Sequence, residues 1–561
     1  MSLHPSDNFA IPAETMRVAR SSLPKGNMYL RMRDEWGTLY RDSDFADLFS
    51  RRGQPAEAPW RLVLVTIMQF AEGLTDRQAA EAVATRIDWK YVLGLELTAP
   101  GFDYSVLSEF RSRLVCGGAE QRLLDVLLAR FKDLHRLRKQ GRQRTDSTHV
   151  LAAVRVLNRL ELVGETLRRA SEALAEAAPA WLVQQITADW CDRYSHRFEQ
   201  FRLPKGREER QALAEKIGAD GYHLLTAVYA PGAPAALREL TAVELLRRVW
   251  LQQYDCQDER IHWREAGNLP PATLLIQSPY DSEAHYSQKR TQEWVGYKAH
   301  LTETCDDDTP HLIVNVETTA ATVPDHVMTN TIHRHLAQRD LLPSTHLLDA
   351  GYVDAGNLTT AHQDFGIDVV APVTQDASWQ ARAQQGFALA CFPIDWEART
   401  VGCPNGQRSR TWSPSHDAHG NEVIHVCFDR YDCQACSLRQ QCTRAATGPR
   451  TLKLHPRPQH EALATARQRQ GETEFKKAYA KRAGVEGMIS QAISYNLRQC
   501  RYIGLAKTHL QHIFIALAIN IVRVLAWSAG KPHAKTRFTR FTALYPLFKQ
   551  PDSLLSAGAA I

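Results

Sequence analysis

A chain of 561 residues is too long for one compact core, and its 44% hydrophobic and 23% charged residues exclude a disordered or fibrous polymer. The net charge of +6 hides an asymmetry. Of 68 basic and 62 acidic residues, 20 and 5 fall between Ser437 and Ile561, leaving 48 and 57 before it. A basic segment of this kind is the electrostatic footprint of a polyanion, because each neutralised phosphate releases condensed counterions; a merely solvated basic surface is the alternative.

The opening MSLHPSDNFAIPAETMRV lacks the basic start, apolar centre and small-residue cleavage site of a secretion signal, so a cytoplasmic location is expected. Eleven cysteines, an odd number, point to reduced thiols or a metal site rather than a disulfide framework. The apolar run Ile513 to Trp527 is short for a bilayer span and contains Asn520 and Arg523. It is expected to be a buried core helix, with no membrane partner.

Along the chain, RLVLVTIMQFAEGL has apolar residues at helical spacing, Gly73 ends it, and Thr75 to Gln78 forms a capping box for the next helix. A third helix, SVLSEFRSRL, starts at Ser105 and carries Arg111 and Arg113. Three short helices with a tight turn suit either a helix-turn-helix DNA reader or a plain packing bundle. They are assigned to an all-α amino-terminal domain over 1–130. Arg155 to about Trp263 is again helical with no clear strand, and reads as a helical insertion over about 155–275.

At Glu293 the pattern changes. WVGYKAHLTETC alternates as a half-buried strand does, and HLIVNVETT returns after the turn DDDTP, predicting a hairpin. A helix (DHVMTNTIHRHLAQR), a strand (THLLD), a helix (NLTTAHQDF) and a strand (IDVVAPV) follow, an alternating α/β register with a parallel element. The α/β core is assigned to 140–376 and 459–530. A Cys-rich insertion over 377–458 separates its halves, and a basic carboxyl-terminal tail spans 531–561. Two long helices, separated near Gly504, are expected after Phe475.

Asp349 ends the strand in LLDAGYVD, where α/β sheets present ligand-binding groups; capping the next helix is the alternative, for which Asp354 is better placed. Between Phe475 and Pro551, Glu486 is the only carboxylate in a basic segment. On one helix, Tyr479, Arg482 and Glu486 share a face beside an apolar stripe of Val485, Met488, Ile489 and Ala492. Gly484 and Gly487 weaken that helix by about 1 kcal/mol each and so suggest close approach of a strand or a nucleic-acid backbone. A surface ion pair between Arg482 and Glu486 is the competing explanation.

Tyr479, Arg482 and Glu486 match the Tyr-x2-Arg-x3-Glu signature, and with TDSTHV around Asp146 and LLDAGY around Asp349 the chain resembles the DDE transposases of bacterial insertion sequences. EGLTDRQAAEAV, VLSEFRSRL, SPYDSEAHYS, GYKAHL and GLAKTHLQH are also similar to this family, whose InsH-type amino-terminal domain the region from Trp60 to Leu114 resembles. The resemblance implies an RNase H-like core, a mixed sheet flanked by helices, in which Asp146, Asp349 and Glu486 hold two Mg²⁺ (or Mn²⁺) ions. Asp146 rests on the resemblance alone, because the polar RQRT before it makes a poor buried strand.

It further implies double-stranded DNA partners, the terminal inverted repeats of an element and its target, with cleavage followed by transfer of the 3′-hydroxyl. Synapsis of two ends implies a homodimer. Tyr479 and Arg482 would position the DNA. Where many members have a Lys seven residues after the Glu, this chain has Ile493, so that contact is missing or falls to Arg498 or Lys507. An inactive DNA-binding derivative, or a nuclease on the same core, are the alternative functions.

Within the Cys-rich insertion, Cys403, Cys433, Cys436 and Cys442 are candidate ligands of one Zn²⁺. Their 29-residue gap exceeds the usual ribbon spacing, and Cys391 and Cys427 are substitutes or simply buried thiols. Trp396 and Trp412 either stack on an extruded base or pack in the core.

Overall fold

The structure, a computed structural model, describes residues 1–5, 9–258, 260–418 and 420–531. From residue 532 onward the expected basic tail lies outside the described residues.

A six-stranded mixed sheet organises the chain: β1 (Arg142–Leu151), β2 (His285–Lys289), β3 (Gln292–Thr304), β4 (Ile313–Ala320), β5 (Thr345–Leu347) and β6 (Asp368–Val370). β3 is the predicted hairpin's first arm; it runs antiparallel to β1 and carries β2 along its first half and β4 along its second. On the other side β1 pairs parallel with β5, and β5 with β6.

Two features of the sheet depart from expectation. β3 is buried on both faces rather than half-buried, because its polar residues are satisfied inside: His300 bonds Tyr352, and Thr302 bonds Thr145. The polar start of β1 is buried for the same reason. Arg144 pairs with buried Glu303 at 2.6 Å, Gln143 donates to the Leu341 carbonyl, and Thr145 bonds His346 at 2.7 Å. Buried polar groups are tolerated where each finds its partner.

In the amino-terminal region, α1 (Pro59–Glu72) ends at Gly73 in the left-handed conformation, and Thr75 and Gln78 form the capping box of α2 (Asp76–Thr85). α3 (Ser105–Cys116) follows. Trp60, Phe70 and Phe110 of these helices belong to one apolar core with Leu301 and Val316 of the sheet.

Crossover helices α4 (Asp325–Gln338) and α5 (Ala355–Phe365) connect β4 to β5 and β5 to β6. The expected long helix after Phe475 is interrupted by a tighter turn at Lys481–Ala483 before α6 (Gly484–Ser494). α7 (Leu505–Ser528) is long and apolar enough to cross a membrane, yet most of it is buried in the protein. It lies between β4 and α1, where Phe514 stacks on Phe70 with ring centroids 5.7 Å apart. Asn520 and Arg523 within α7 both have partners. Asn520 accepts from the Ile313 N–H and donates to the Ile313 carbonyl, both at 2.8 Å, while Arg523 reaches Glu303 and the His311 carbonyl.

Helices Arg159–Ala177, Arg207–Tyr229 and Thr241–Gln253 build the helical insertion around their own core, which includes Leu167, Leu224 and Trp250. Contrary to expectation it contains a hairpin, Tyr254–Gln257 with Arg260–Trp263. The two four-residue arms are too short to show a period in the sequence; tertiary contact holds them, since the Tyr254 ring lies against Gly218. The Cys-rich insertion contains an antiparallel sheet of Thr411–His416, Glu422–Cys427 and Thr451–Leu454 over a small core of Phe392, Val401, Val426, Phe428, Leu452 and Leu454.

Candidate active site

Parallel pairing aligns Arg142, Gln143 and Arg144 of β1 with Thr345, His346 and Leu347 of β5. Continuing that register two residues further sets Asp146 beside Asp349. Side chains alternate along a strand, so Arg144, Asp146 and Thr148 share one face of β1.

The turn before α6 lies against this face. Arg482 Nη2 stands 2.9 Å from Asp146 Oδ2 and 3.7 Å from Asp349 Oδ2, with 15% of its side chain exposed. Its Nε is buried without a hydrogen-bond partner. Burial pushes the Asp146 carboxyl above its usual range; Arg482 opposes this, as does the Ser147 N–H that donates to Asp146 Oδ1, while Asp349 adds to it. Asp349 also accepts from the Gly351 N–H at 2.8 Å and so caps the short turn Ala350–Tyr352, while Asp354 caps α5. Arg482 pairs with the acids rather than with Glu486.

Glu486 occupies the first turn of α6, exposed, and makes no hydrogen bond or ion pair among the described residues. Tyr479 stacks on Phe475 and packs on Leu347 and Val370; burial raises its phenol, and Arg482, Asp349 and Asp146 are close enough to perturb it. A side chain at Gly484 would collide with the Arg144 guanidinium, which accounts for that glycine as the close approach of a strand; Gly487 faces open space.

The other residues singled out from the sequence divide. Arg498 Nε donates to Thr148 Oγ1 at 2.9 Å, on the same face of β1 as Asp146. Lys507 is exposed at the start of α7, and Ile493 packs against the main core. Arg113 stacks over Phe49. Arg111, with 6% of its side chain exposed, pairs with Asp76 and covers the Tyr502 ring.

Behind the acid pair lies a network that sequence reasoning missed. Ser147 Oγ donates to Asp325 Oδ2 at 3.0 Å, Lys298 Nζ donates to Asp325 Oδ1 at 3.0 Å, and buried Tyr352 bonds His300 at 2.6 Å. Lys298 in GYKAHL was the available signal, a charge inside an alternating strand; Asp325 at the start of α4 looks like an ordinary cap.

In the Cys-rich insertion, Cys403, Cys433, Cys436 and Cys442 line one cavity of about 30 Å³, whereas Cys391 and Cys427 do not reach it. All eleven cysteines are free. Trp396 meets Trp412 edge-on at 5.6 Å, and it borders a cavity of about 1000 Å³ with Asp354, Lys453, His455, His460 and Arg467. Among the described residues, no three His, Cys, Asp or Glu side chains are gathered as a formed metal site.

A family model described as a transposase DDE domain matches residues 402–525, and another described as a transposase domain matches residues 18–113. The first takes in all four cavity cysteines, Arg482, Glu486 and most of α7; the second takes in α1, α2 and most of α3. Together the two matches indicate a DDE transposase of the insertion-element type, and the DDE domain implies an RNase H-like core. Such a family processes nucleic acid, binds DNA and generally uses divalent metals such as Mg²⁺. No curated protein matches the chain at a significant level.

Proposed function

We propose that the chain cleaves phosphodiester bonds at the ends of its element and transfers the released 3′-hydroxyl into target DNA, with Asp146, Asp349 and Glu486 as the carboxylates of the active site. The observation that carries this reading is the convergence of Asp146 and Asp349 on one guanidinium. Two acids from adjacent strands that already share one positive charge have the donor chemistry that hard cations require.

The Asp pair therefore fits divalent metal ions, and Glu486, exposed one turn beyond Arg482, is the carboxylate offered as the third oxygen donor. Two Mg²⁺ or Mn²⁺ ions held there supply positive charge that activates a water and stabilises the leaving oxygen of a phosphodiester. The remaining work belongs to the chain's own residues. The Ser147 and Gly351 N–H groups fix the orientations of Asp146 and Asp349. Arg482, once released from the acids, binds a DNA phosphate bidentately, and Tyr479 positions the backbone beside it. Arg498 and Lys507 extend the basic track, and Arg113 contacts DNA from the amino-terminal region. The DNA is double-stranded, comprising the terminal inverted repeats and the target, and two copies of the chain hold two ends.

The test is cleavage and joining of labelled element ends with Mg²⁺ or Mn²⁺, comparing wild type with Glu486→Gln. Wild type joins ends, and the variant binds DNA but performs neither step. Equal activity removes Glu486 from the site; DNA binding without cleavage by either protein supports an inactive DNA-binding derivative. Cleavage without joining identifies a nuclease.

A further inference from the structure

The Cys-rich insertion has a weak core for its length, with six fully buried apolar residues holding three short strands and several turns. Small units of this kind need a staple, either a disulfide or a metal. Its cysteines form no disulfide.

Four of its cysteines, Cys403, Cys433, Cys436 and Cys442, line one cavity of about 30 Å³. Each is anchored through its backbone. At Cys403 the chain makes a tight turn: Gly406 takes a positive φ of 81° and donates to the Cys403 carbonyl, and the Gln407 N–H points at the Cys403 sulfur at 3.3 Å. An N–H aimed at sulfur stabilises the thiolate form that metals bind.

Opposite this turn, Cys433 and Cys436 flank the end of a short helix. Arg439 donates from its side chain to the Cys433 carbonyl at 2.9 Å and from its backbone to the Cys436 carbonyl at 3.2 Å. The Cys442 carbonyl accepts from Gln380 Nε2 and Arg450 Nη1, both at 2.8 Å. Two cysteine-bearing turns, separated by 29 residues in sequence, thus border the same cavity. The sulfurs themselves are left to converge, and Cys391 and Cys427 are elsewhere.

We infer that Cys403, Cys433, Cys436 and Cys442 bind one Zn²⁺ as a closed, four-thiolate structural site that fastens the Cys-rich insertion. Four sulfur donors with no position left for water define a structural rather than a catalytic centre, and tetrahedral thiolate sets select zinc among the common divalent ions. The site is independent of the acid pair and does not rest on the proposed transposition chemistry.

Full-length protein purified without chelator is analysed for metals, then titrated with a mercurial while zinc release is followed with a colorimetric chelator. One zinc per chain is expected, released as four thiols are modified. Co²⁺-substituted protein should show the thiolate-to-cobalt charge-transfer absorption of a tetrahedral site. Cys433→Ser combined with Cys436→Ser should abolish zinc retention, and Cys391→Ser and Cys427→Ser should leave it intact. If the double variant does not fold, the wild-type titration and the cobalt spectrum still decide. Metal-free wild type with no cobalt charge-transfer band, an iron chromophore, or zinc retained by the double variant would each overturn the assignment.

Discussion

Arg482 Nη2 lies 2.9 Å from Asp146 Oδ2, so the Arg of the Tyr-x2-Arg-x3-Glu signature sits on the acid of the first motif, some 336 residues earlier in the chain. Its positive charge occupies the position where the Asp pair would otherwise attract a cation. Arg482→Gln is therefore expected to raise the Asp146 carboxyl further and to tighten Mn²⁺ binding by DNA-free protein by about tenfold, as removal of a competing charge within contact distance does. Electron paramagnetic resonance of free Mn²⁺ reads the affinity. Unchanged or weaker binding would show that Arg482 does not compete for the acids.

The two glycines of α6 should respond in opposite directions. Gly484→Ala drives a methyl group into the Arg144 guanidinium, which is tied to Glu303 and the Lys481 carbonyl and cannot swing away freely. A loss of about 1–3 kcal/mol is expected from such overpacking. Gly487→Ala meets nothing and should gain up to about 1 kcal/mol from helix propensity. Urea denaturation of both variants checks the contrast.

Asn520 is the polar bracket of the main core. Asn520→Leu leaves the Ile313 N–H and carbonyl without their side-chain partner, and a destabilisation of about 2–4 kcal/mol follows from two unsatisfied buried groups. Denaturant midpoints measure it, and a loss below about 1 kcal/mol would mean that water replaces the amide.

Stability should also depend on pH through buried histidines. Burial pushes His300 and His333 down to about 4 and His512 to about 3, from an ordinary value of 6.5. Each is neutral in the fold, so their contribution is intact above pH 6.5. The unfolded chain takes up protons as the pH falls below 6.5, and the fold loses stability progressively down to about 4. The slope approaches about 1.4 kcal/mol per pH unit for each such histidine. His300→Gln should flatten the pH dependence of the denaturation midpoint, and an unaltered slope would remove His300 from the set.

The legible and illegible parts of this chain separate on physical grounds. The β3–β4 hairpin, both crossovers and the capping box at Thr75 were readable because local period and turn chemistry specify them. The strand bearing Asp146 was not, since Arg144 and Thr145 are buried only by virtue of Glu303, Thr302 and His346, all distant in sequence. The same holds for Arg111, which reads as a surface cation on an amphipathic helix until Asp76 and Tyr502 are brought to it. Asp349 and the four cysteines of the cavity could be singled out by position and spacing. Lys298 and Asp325 could not, because nothing in the sequence says that they meet.

α7 holds the sheet and the amino-terminal helices in a single core, yet it follows both in the sequence. On the ribosome the sheet must wait for it: until α7 emerges, β4 presents an open apolar flank and the face of α1 that receives Phe514 is bare. A chain truncated before residue 505 is therefore expected to leave the flank of β4 and the Phe514-facing side of α1 uncovered.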